Sequence, residues 1–400
     1  MNTLTRSIRM LGLGLLGSVV GLACLSTPAH AAAPAADHAA PRTLAQSQPL
    51  SIPKATDSAP AEDPNDEKTS TDMPGVPKAL VLTLGDEQNG DMVGVYMVAH
   101  ILERAIPTLE KELGTDKTGV LVLRVHSGGG FGLEVQKIVD VIQNEYKSRW
   151  RTVGWIDTAI SAAAMSSHIL EEIYFTSRGN YGACTGFYGS LDRPVEGREL
   201  QESLVQMERI SAKAGWDPLI MRAMQIQQPV SATIDEVGNV KFHDDLSGDF
   251  IVNRPREILT FNCRSAEKIK FSRGTADTLD ELTKLMGYKE LNWVGKKVAG
   301  SPWPISKSEK IQMDFRRQAA EDERLTNHYF QSLQMQMEAA QAAPRDQRAA
   351  FVGRAKQTLG KLKNMLRNNP NFAISVFNRT REEAEQLLKE YEKRLTDLLK

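Results

Sequence analysis

The sequence predicts an α/β fold, with a mostly parallel sheet, flanking helices and a C-terminal helical extension. Three observations predict it. Short β-prone apolar runs recur at residues 79–84, 120–125, 150–155 and 173–175, each too short to be a core helix. The stretches between the first three runs carry apolar residues on one helical face, and short links joining strand to helix to strand favour parallel strands covered on both sides. After Pro302-Trp303-Pro304 the composition turns polar and helical.

Four hundred residues with 41% hydrophobic content allow one sizeable core plus extras, and a net charge of −1 gives no reason to expect nucleic acid as a partner. Arg6 and Arg9 precede an apolar run at residues 10–25 and then Ala29-His30-Ala31, the pattern of a secretory signal peptide over residues 1–31. The expectation is export, to the periplasm or beyond. That run is interrupted by Gly12, Gly14, Gly17 and Gly21 and is short for a spanning helix. Cys24 could carry a lipid, but Gly21 stands where a Leu-like residue is wanted, so a lipid anchor ranks second. Residues 32–77 are rich in Ala, Pro, Asp and Ser without apolar periodicity and read as a disordered linker. The folded region, residues 78–300, begins near Lys78. Its two cysteines, Cys184 and Cys263, could bridge in an oxidising compartment, although two apolar thiols are the plainer reading.

In chain order, residues 92–113 place Val93, Met97, Ile101 and Leu102 on one helical face, and residues 133–146 form the next helix. Residues 197–215 and 219–227 read as helices, and 232–250 as a hairpin or surface insertion. Asp235, Asp244, Asp245 and Asp249 do not have EF-hand spacing and read as solvated loop charge, so no metal and no cofactor is expected. Residues 305–400 are expected to form about three helices divided by Pro344 and Pro370. Ser306 with Glu309 and Thr380 with Glu383 are capping-box patterns. Ala384, Leu387, Leu388, Tyr391, Leu395, Leu398 and Leu399 then form a seam near heptad spacing that needs a partner surface. Residues 345–367 hold seven basic residues against one acid, which reads as a solvated face before it reads as a site for anionic lipid.

The stretch that carries chemistry is Asp157 to Ala183. Small residues fill its first half, with Ser161 where a helix should begin, and Gly179, Gly182 and Ala183 leave backbone exposed after the strand at 173–175. Upstream, the run at 120–125 empties into His126-Ser127-Gly128-Gly129-Gly130, a turn with N–H groups under few steric limits. If the two meet, a serine hydroxyl lies beside an oxyanion hole. Serine is also a common N-cap, and that role is compatible with the first.

These residues resemble the Clp protease and crotonase superfamily and are most similar to its NfeD and signal peptide peptidase A serine peptidases. Ser127-Gly128-Gly129-Gly130 stands where those carry Ser/Thr-Pro-Gly-Gly. Ser161-Ala162 matches their nucleophile step, and Glu171-Glu172-Ile173 and Tyr181-Gly182-Ala183 match the segments after it. Glu257-Ile258-Leu259-Thr260, Ser265-Ala266-Glu267 and the run from Gly274 to Leu282 continue the likeness, which spans about residues 79–295. The resemblance implies a Clp/crotonase-like fold with Ser161 as nucleophile, Gly130 and Ala162 as N–H donors, and Gly129, Gly182 and Arg198 towards a peptide substrate.

The base departs from that pattern. NfeD-like peptidases use a lysine at the start of the helix after the core, and here that place falls at or near Arg198, which stays protonated and cannot be a base. Lys213 is the first lysine after Ser161 but fits the far end of that helix and reads as a surface residue. His168 lies about two helical turns, ~10 Å, beyond Ser161 and reads as a core histidine. His126, at a strand end before the glycine turn, could point into the same crevice and is the remaining candidate. Two function classes compete: an exported serine peptidase acting on peptides or membrane-protein segments through an acyl-enzyme, or an inactive homologue that binds peptide or serves assembly. A homo-oligomer and a membrane-protein partner are expectations of the same resemblance, and acyl-CoA chemistry ranks third because export removes its usual substrate.

Overall fold

The computed structural model of the protein describes residues 75–88 and 90–400. The expected signal peptide, Cys24 and residues 32–74 of the expected linker lie outside the described residues. The strands are β1 (Lys78–Leu84), β2 (Val120–Ser127), β3 (Arg151–Ile160), β4 (Ile173–Gly182), β5 (Val230–Ile234), β6 (Val240–His243), β7 (Phe250–Asn253), β8 (Thr260–Asn262) and β9 (Asn292–Trp293). Six of them form one sheet in the order β8-β4-β3-β2-β1-β9, parallel throughout except for β8 at one edge. Strands buried on both faces read as continuous apolar runs, which is why 79–84 and 120–125 were legible.

The main helices are α1 (Ala99–Leu113), α2 (Val135–Asp140, continued by a π turn at Val141–Tyr146 and a last turn at Lys147–Arg149), α3 (Ala162–Ser167), α4 (Gly197–Ala214), α5 (Pro218–Gln225), α6 (Cys263–Lys268), α7 (Leu279–Leu285), α8 (Lys307–Ala342), α9 (Arg348–Asn368), α10 (Phe372–Ser375) and α11 (Arg381–Asp397). Alternation along β2 divides the core. Leu121, Leu123 and Val125 pack with residues of α1, α2 and α3, whereas Val120 and Val122 pack with Trp155, Tyr174 and Leu282 of α7 on the other face. The segment 230–253 is a three-stranded antiparallel sheet, β6-β5-β7, in place of a single hairpin. Two of its aspartates are tied up in turns: Asp235 accepts from Asn239 N at 2.7 Å and Asp245 from Ser247 N at 2.9 Å.

Two boundaries move for reasons of pairing. β3 runs to Ile160 instead of stopping near residue 155, because the register skips Asp157: Val125 pairs with Ile156, then His126 with Thr158. This bulge carries the β-branched Thr158 and Ile160 into the sheet, and the helix begins at Ala162, directly after Ser161 as the sequence predicts. α1 starts at Ala99 instead of residue 92, because Val93 forms a parallel bridge with Gly130.

The C-terminal helices are not a free extension. Ser306 caps α8, but Glu309 does not complete the box, since its carboxylate accepts from Thr83 N at 2.7 Å and from Arg316 Nη2 at 3.1 Å, with both side chains buried. Thr380 and Glu383 do form their box at α11. The α11 seam finds its partner surface within the chain: Ala384, Leu388 and Leu395 are buried with Leu359, Leu362 and Leu366 of α9. Each fully buried leucine contributes about 1.5–3 kcal/mol. Val95, with Tyr96 and Phe131 against it, belongs to the same cluster, so these helices reach the neighbourhood of the glycine turn. No helix of the described residues is long and apolar enough to cross a membrane.

Candidate active site

β3 delivers Ser161 into the chain reversal before α3, where its backbone takes φ 56° and ψ −127°. For a residue with a Cβ this conformation costs about 1–3 kcal/mol and must be held from outside. The end of β4 and the first turn of α3 hold it: Ser161 N donates to Gly182 O at 2.9 Å, and Met165 N donates to Ser161 O at 3.0 Å. The Ser161 side chain makes no capping hydrogen bond. Its hydroxyl has no hydrogen-bond partner among the described residues, so Ser161 occupies the N-cap position without its side chain capping the helix.

The glycine turn meets it. A Cβ on Gly129, whose φ is +108°, would lie 2.6 Å from Ser161 Cβ and 3.2 Å from Ser161 Oγ, so no residue larger than glycine fits. Val93 N donates to Gly129 O at 2.8 Å and Phe131 N to Val93 O at 2.9 Å. In that parallel pattern the N–H of Gly130 points away from Val93. Neither Gly130 N–H nor Ala162 N–H, the latter at the first turn of α3, has a partner among the described residues. Gly128 N donates to Asp91 Oδ2 at 2.9 Å and Gly129 N to Ser127 Oγ at 3.1 Å, which fixes the turn from its outer side. Gly182, with φ +135°, meets β8 so closely that a Cβ would lie 2.4 Å from Leu259 O. Ser161, Gly129, Gly130, Ala162 and Gly182 therefore come together at the C-terminal edge of the parallel strands.

The candidate bases do not join them. His126 Nδ1 lies 2.7 Å from Asp157 Oδ2, and Arg124, two residues earlier, reaches the same oxygen at 3.4 Å while stacking over Trp155 and Trp303. Alternation thus puts His126 on the Val120, Val122 and Arg124 face, away from the face that α3 covers. This corrects the expectation that His126 points into the serine crevice. Asp157 also accepts from Thr176 Oγ1 at 3.0 Å. The hydrogen bond from His126, with help from Arg124 and Thr176, lowers the Asp157 pKa to about 2, and the same bond raises that of His126.

Arg198 stands at the start of α4 with its side chain 91% exposed, its Nε 2.7 Å from Glu202. It lines an outer groove of about 900 Å³ with Gln201, Glu202, Arg209 and Lys213, and none of its contacts reaches the serine crevice, contrary to the substrate role expected for it. Lys213 is exposed at the far end of α4. His168 is fully buried, with Nε2 3.0 Å from Ser211 Oγ, and burial lowers its pKa to about 3. Cys184 and Cys263 are free thiols. The first is buried under Ser161, with Sγ 3.6 Å from Ser161 O, and the second faces Ser177 O at 3.4 Å. Among the described residues no cluster of His, Cys, Asp and Glu is disposed to hold a metal.

Sequence reasoning missed Asp157 as a partner of His126. The available signal was an acid inside an otherwise apolar strand, Trp155-Ile156-Asp157-Thr158. It also missed the bridged hairpin Phe187 to Pro194 beyond β4, where Phe187, Tyr188 and Leu191 are exposed.

No family model matches the chain, and no curated protein matches it either. Among solved structures it is similar to a serine-to-alanine variant of the 1510-N membrane-bound stomatin-specific protease, with a TM-score of 0.39 and 13% identity over 58% of this chain and 93% of that one. It is equally similar to a lysine-to-alanine variant of that protease in complex with a substrate peptide, again with a TM-score of 0.39 and 13% identity, over 58% of this chain and 89% of that one.

Proposed function

We propose that the protein is an exported, Clp-like serine peptidase whose Ser161 receives a peptide carbonyl and forms an acyl-enzyme. The observation that carries the reading is the strained Ser161 in contact with Gly129, its hydroxyl free. In this reading Ser161 Oγ attacks the carbonyl carbon, and Gly130 N–H and Ala162 N–H, both unpaired, receive the developing oxyanion. Each such donor is worth about 10²–10³ in rate. The leaving amine departs with a proton, and water then releases the acyl group. The site takes no cofactor. Substrates are peptides or membrane-protein segments, and the compartment is the periplasm or the exterior.

The proton needs an acceptor, and no side chain among the described residues bonds Ser161 Oγ. A group from a second copy of the chain fills that role in an active oligomer. The second reading, an inactive homologue that binds peptide, is favoured by the surface position of Arg198 where relatives of this kind carry their lysine. Covalent labelling by a fluorophosphonate, in wild type and Ser161→Ala across a range of protein concentrations, separates them. Labelling that rises with self-association and vanishes in Ser161→Ala supports the peptidase. Peptide binding without labelling at any concentration supports the second reading, and labelling that persists in Ser161→Ala overturns the assignment of the nucleophile.

A further inference from the structure

The helices after residue 305 end their second long member in an unusual corner, Asn369-Pro370-Asn371 between α9 and α10. Asn369 ends α9 by donating its own backbone N–H to Met365 O, but its side chain turns away from the helix. Asn369 Nδ2 donates to Val95 O at 2.8 Å, and Asn369 Oδ1 accepts from Asn371 N at 3.2 Å. Asn371 Nδ2 in turn donates to Glu134 Oε2 at 3.1 Å. Asn369 and Glu134 are each 2% exposed and Asn371 is 9% exposed, so these bonds form away from water, where a lost partner is not replaced.

The two residues contacted flank the glycine turn on both sides. Val95 lies two residues from Val93, the residue whose N–H and C=O bracket Gly130. Glu134 lies three residues after Phe131, donates its N–H to Phe131 O at 3.1 Å, and accepts from Ala99 N at 2.9 Å to cap α1. Phe131 itself packs against the C-terminal cluster and fills the space where a Cβ on Gly94 would stand, 2.8 Å from its ring.

We infer that Asn369 and Asn371 are positioning residues, which through Val95 and Glu134 hold the segment that presents Gly130 N–H to Ser161. This rests on the peptidase reading for its catalytic consequence, although the mechanical coupling stands apart from it. The C-terminal helices are then a working part of the site. An N–H donor displaced by a fraction of an ångström loses most of its effect on a transition state.

The test compares Asn369→Ala, Asn371→Ala and Asn371→Gln with wild type and with Lys363→Ala, which removes only the surface pair between Lys363 and Glu392 on the same helices. Two quantities are read: hydrogen exchange at the Val93 and Phe131 amides, and the rate of Ser161 labelling at saturating fluorophosphonate. The expected result is about tenfold faster exchange at those two amides in each Ala variant, with β2 and β3 unchanged. Labelling slows about tenfold, Asn371→Gln recovers part of both, and Lys363→Ala matches wild type. Unchanged exchange at Val93 and Phe131 in both Ala variants overturns the inference, whatever labelling does. Should one Ala variant fail to fold, the other carries the same test. A wild type that never labels overturns the peptidase reading alone, because the exchange measurement still decides the coupling.

Discussion

Asp157 holds His126 through Nδ1 at 2.7 Å on the face of the sheet opposite the helix that follows Ser161. A serine, a histidine and an aspartate are thus brought to the ends of neighbouring strands without forming a relay. The Asp157 bulge decides this, because it takes one residue out of register just before the strand delivers Ser161. His126→Ala is therefore expected to change the rate of Ser161 labelling by less than about tenfold, whereas removing a true general base costs about 10²–10⁴. A loss in the larger range would place a histidine proton at Ser161 and refute the separation.

The pair has its own pH signature. With His126 raised and Asp157 lowered to about 2, the contribution of the histidine to stability is present below its unfolded pKa near 6.5 and is lost as pH rises through the higher folded value. That of the aspartate is present above its usual value and lost only as pH falls towards 2. NMR titration of His126 should give a pKa above 6.5 in wild type, and Asp157→Asn should bring it down.

His168 acts with the opposite sign. Its folded pKa is lowered from 6.5 to about 3 by burial, so the stability it confers as a neutral ring is full above 6.5 and declines as pH falls from there towards 3. The slope contributed by this one group approaches about 1.4 kcal/mol per pH unit within that window. Urea unfolding at pH 7.5 and at pH 5 measures it. A His168→Phe variant, with ring neighbours Phe271 and Trp216 kept, should show a flatter dependence.

Arg198→Lys is expected to create no reactivity. At a position 91% exposed and paired with Glu202, a lysine has no burial to lower its pKa and no contact with the crevice. New labelling in that variant would show that α4 moves its first turn onto the site.

The Glu309 and Arg316 pair ties α8 to the end of β1 through Thr83, with both charged side chains at 1–2% exposure. Arg316→Met leaves Glu309 buried without its cation and should cost about 3–5 kcal/mol in urea or thermal unfolding. Replacing both by apolar residues of similar volume should cost far less. An Arg316→Met variant as stable as wild type would mean that water or rearrangement already satisfies the carboxylate.

Gly129→Ala tests the close approach most directly. An added methyl group would press on Ser161 Cβ at 2.6 Å in a backbone region that alanine avoids, with an expected loss of about 1–3 kcal/mol. A denaturant midpoint measures that loss, and Ser161 labelling should disappear.

The apolar runs, the triple glycine and the small-residue stretch after Ser161 determine by themselves a parallel sheet with a serine and a flexible turn at the ends of neighbouring strands. Strands buried on both faces and turns that need glycine are written in local residue types, so they can be read in order along the chain. The face on which a side chain emerges is another matter, since one unpaired residue at Asp157 re-aims the residues after it and no local preference of Val125 or His126 announces it. The leucine seam of α11 and the α9 leucines that cover it lie on opposite sides of the Asn369 corner in the chain, and only packing showed that the seam is covered from within. Glu309 looked like a capping residue by its spacing from Ser306. Tertiary structure sent it to Thr83 and Arg316, because the backbone N–H of Thr83 and the guanidinium of Arg316 are buried with it and have the charge and hydrogen bonds to satisfy there.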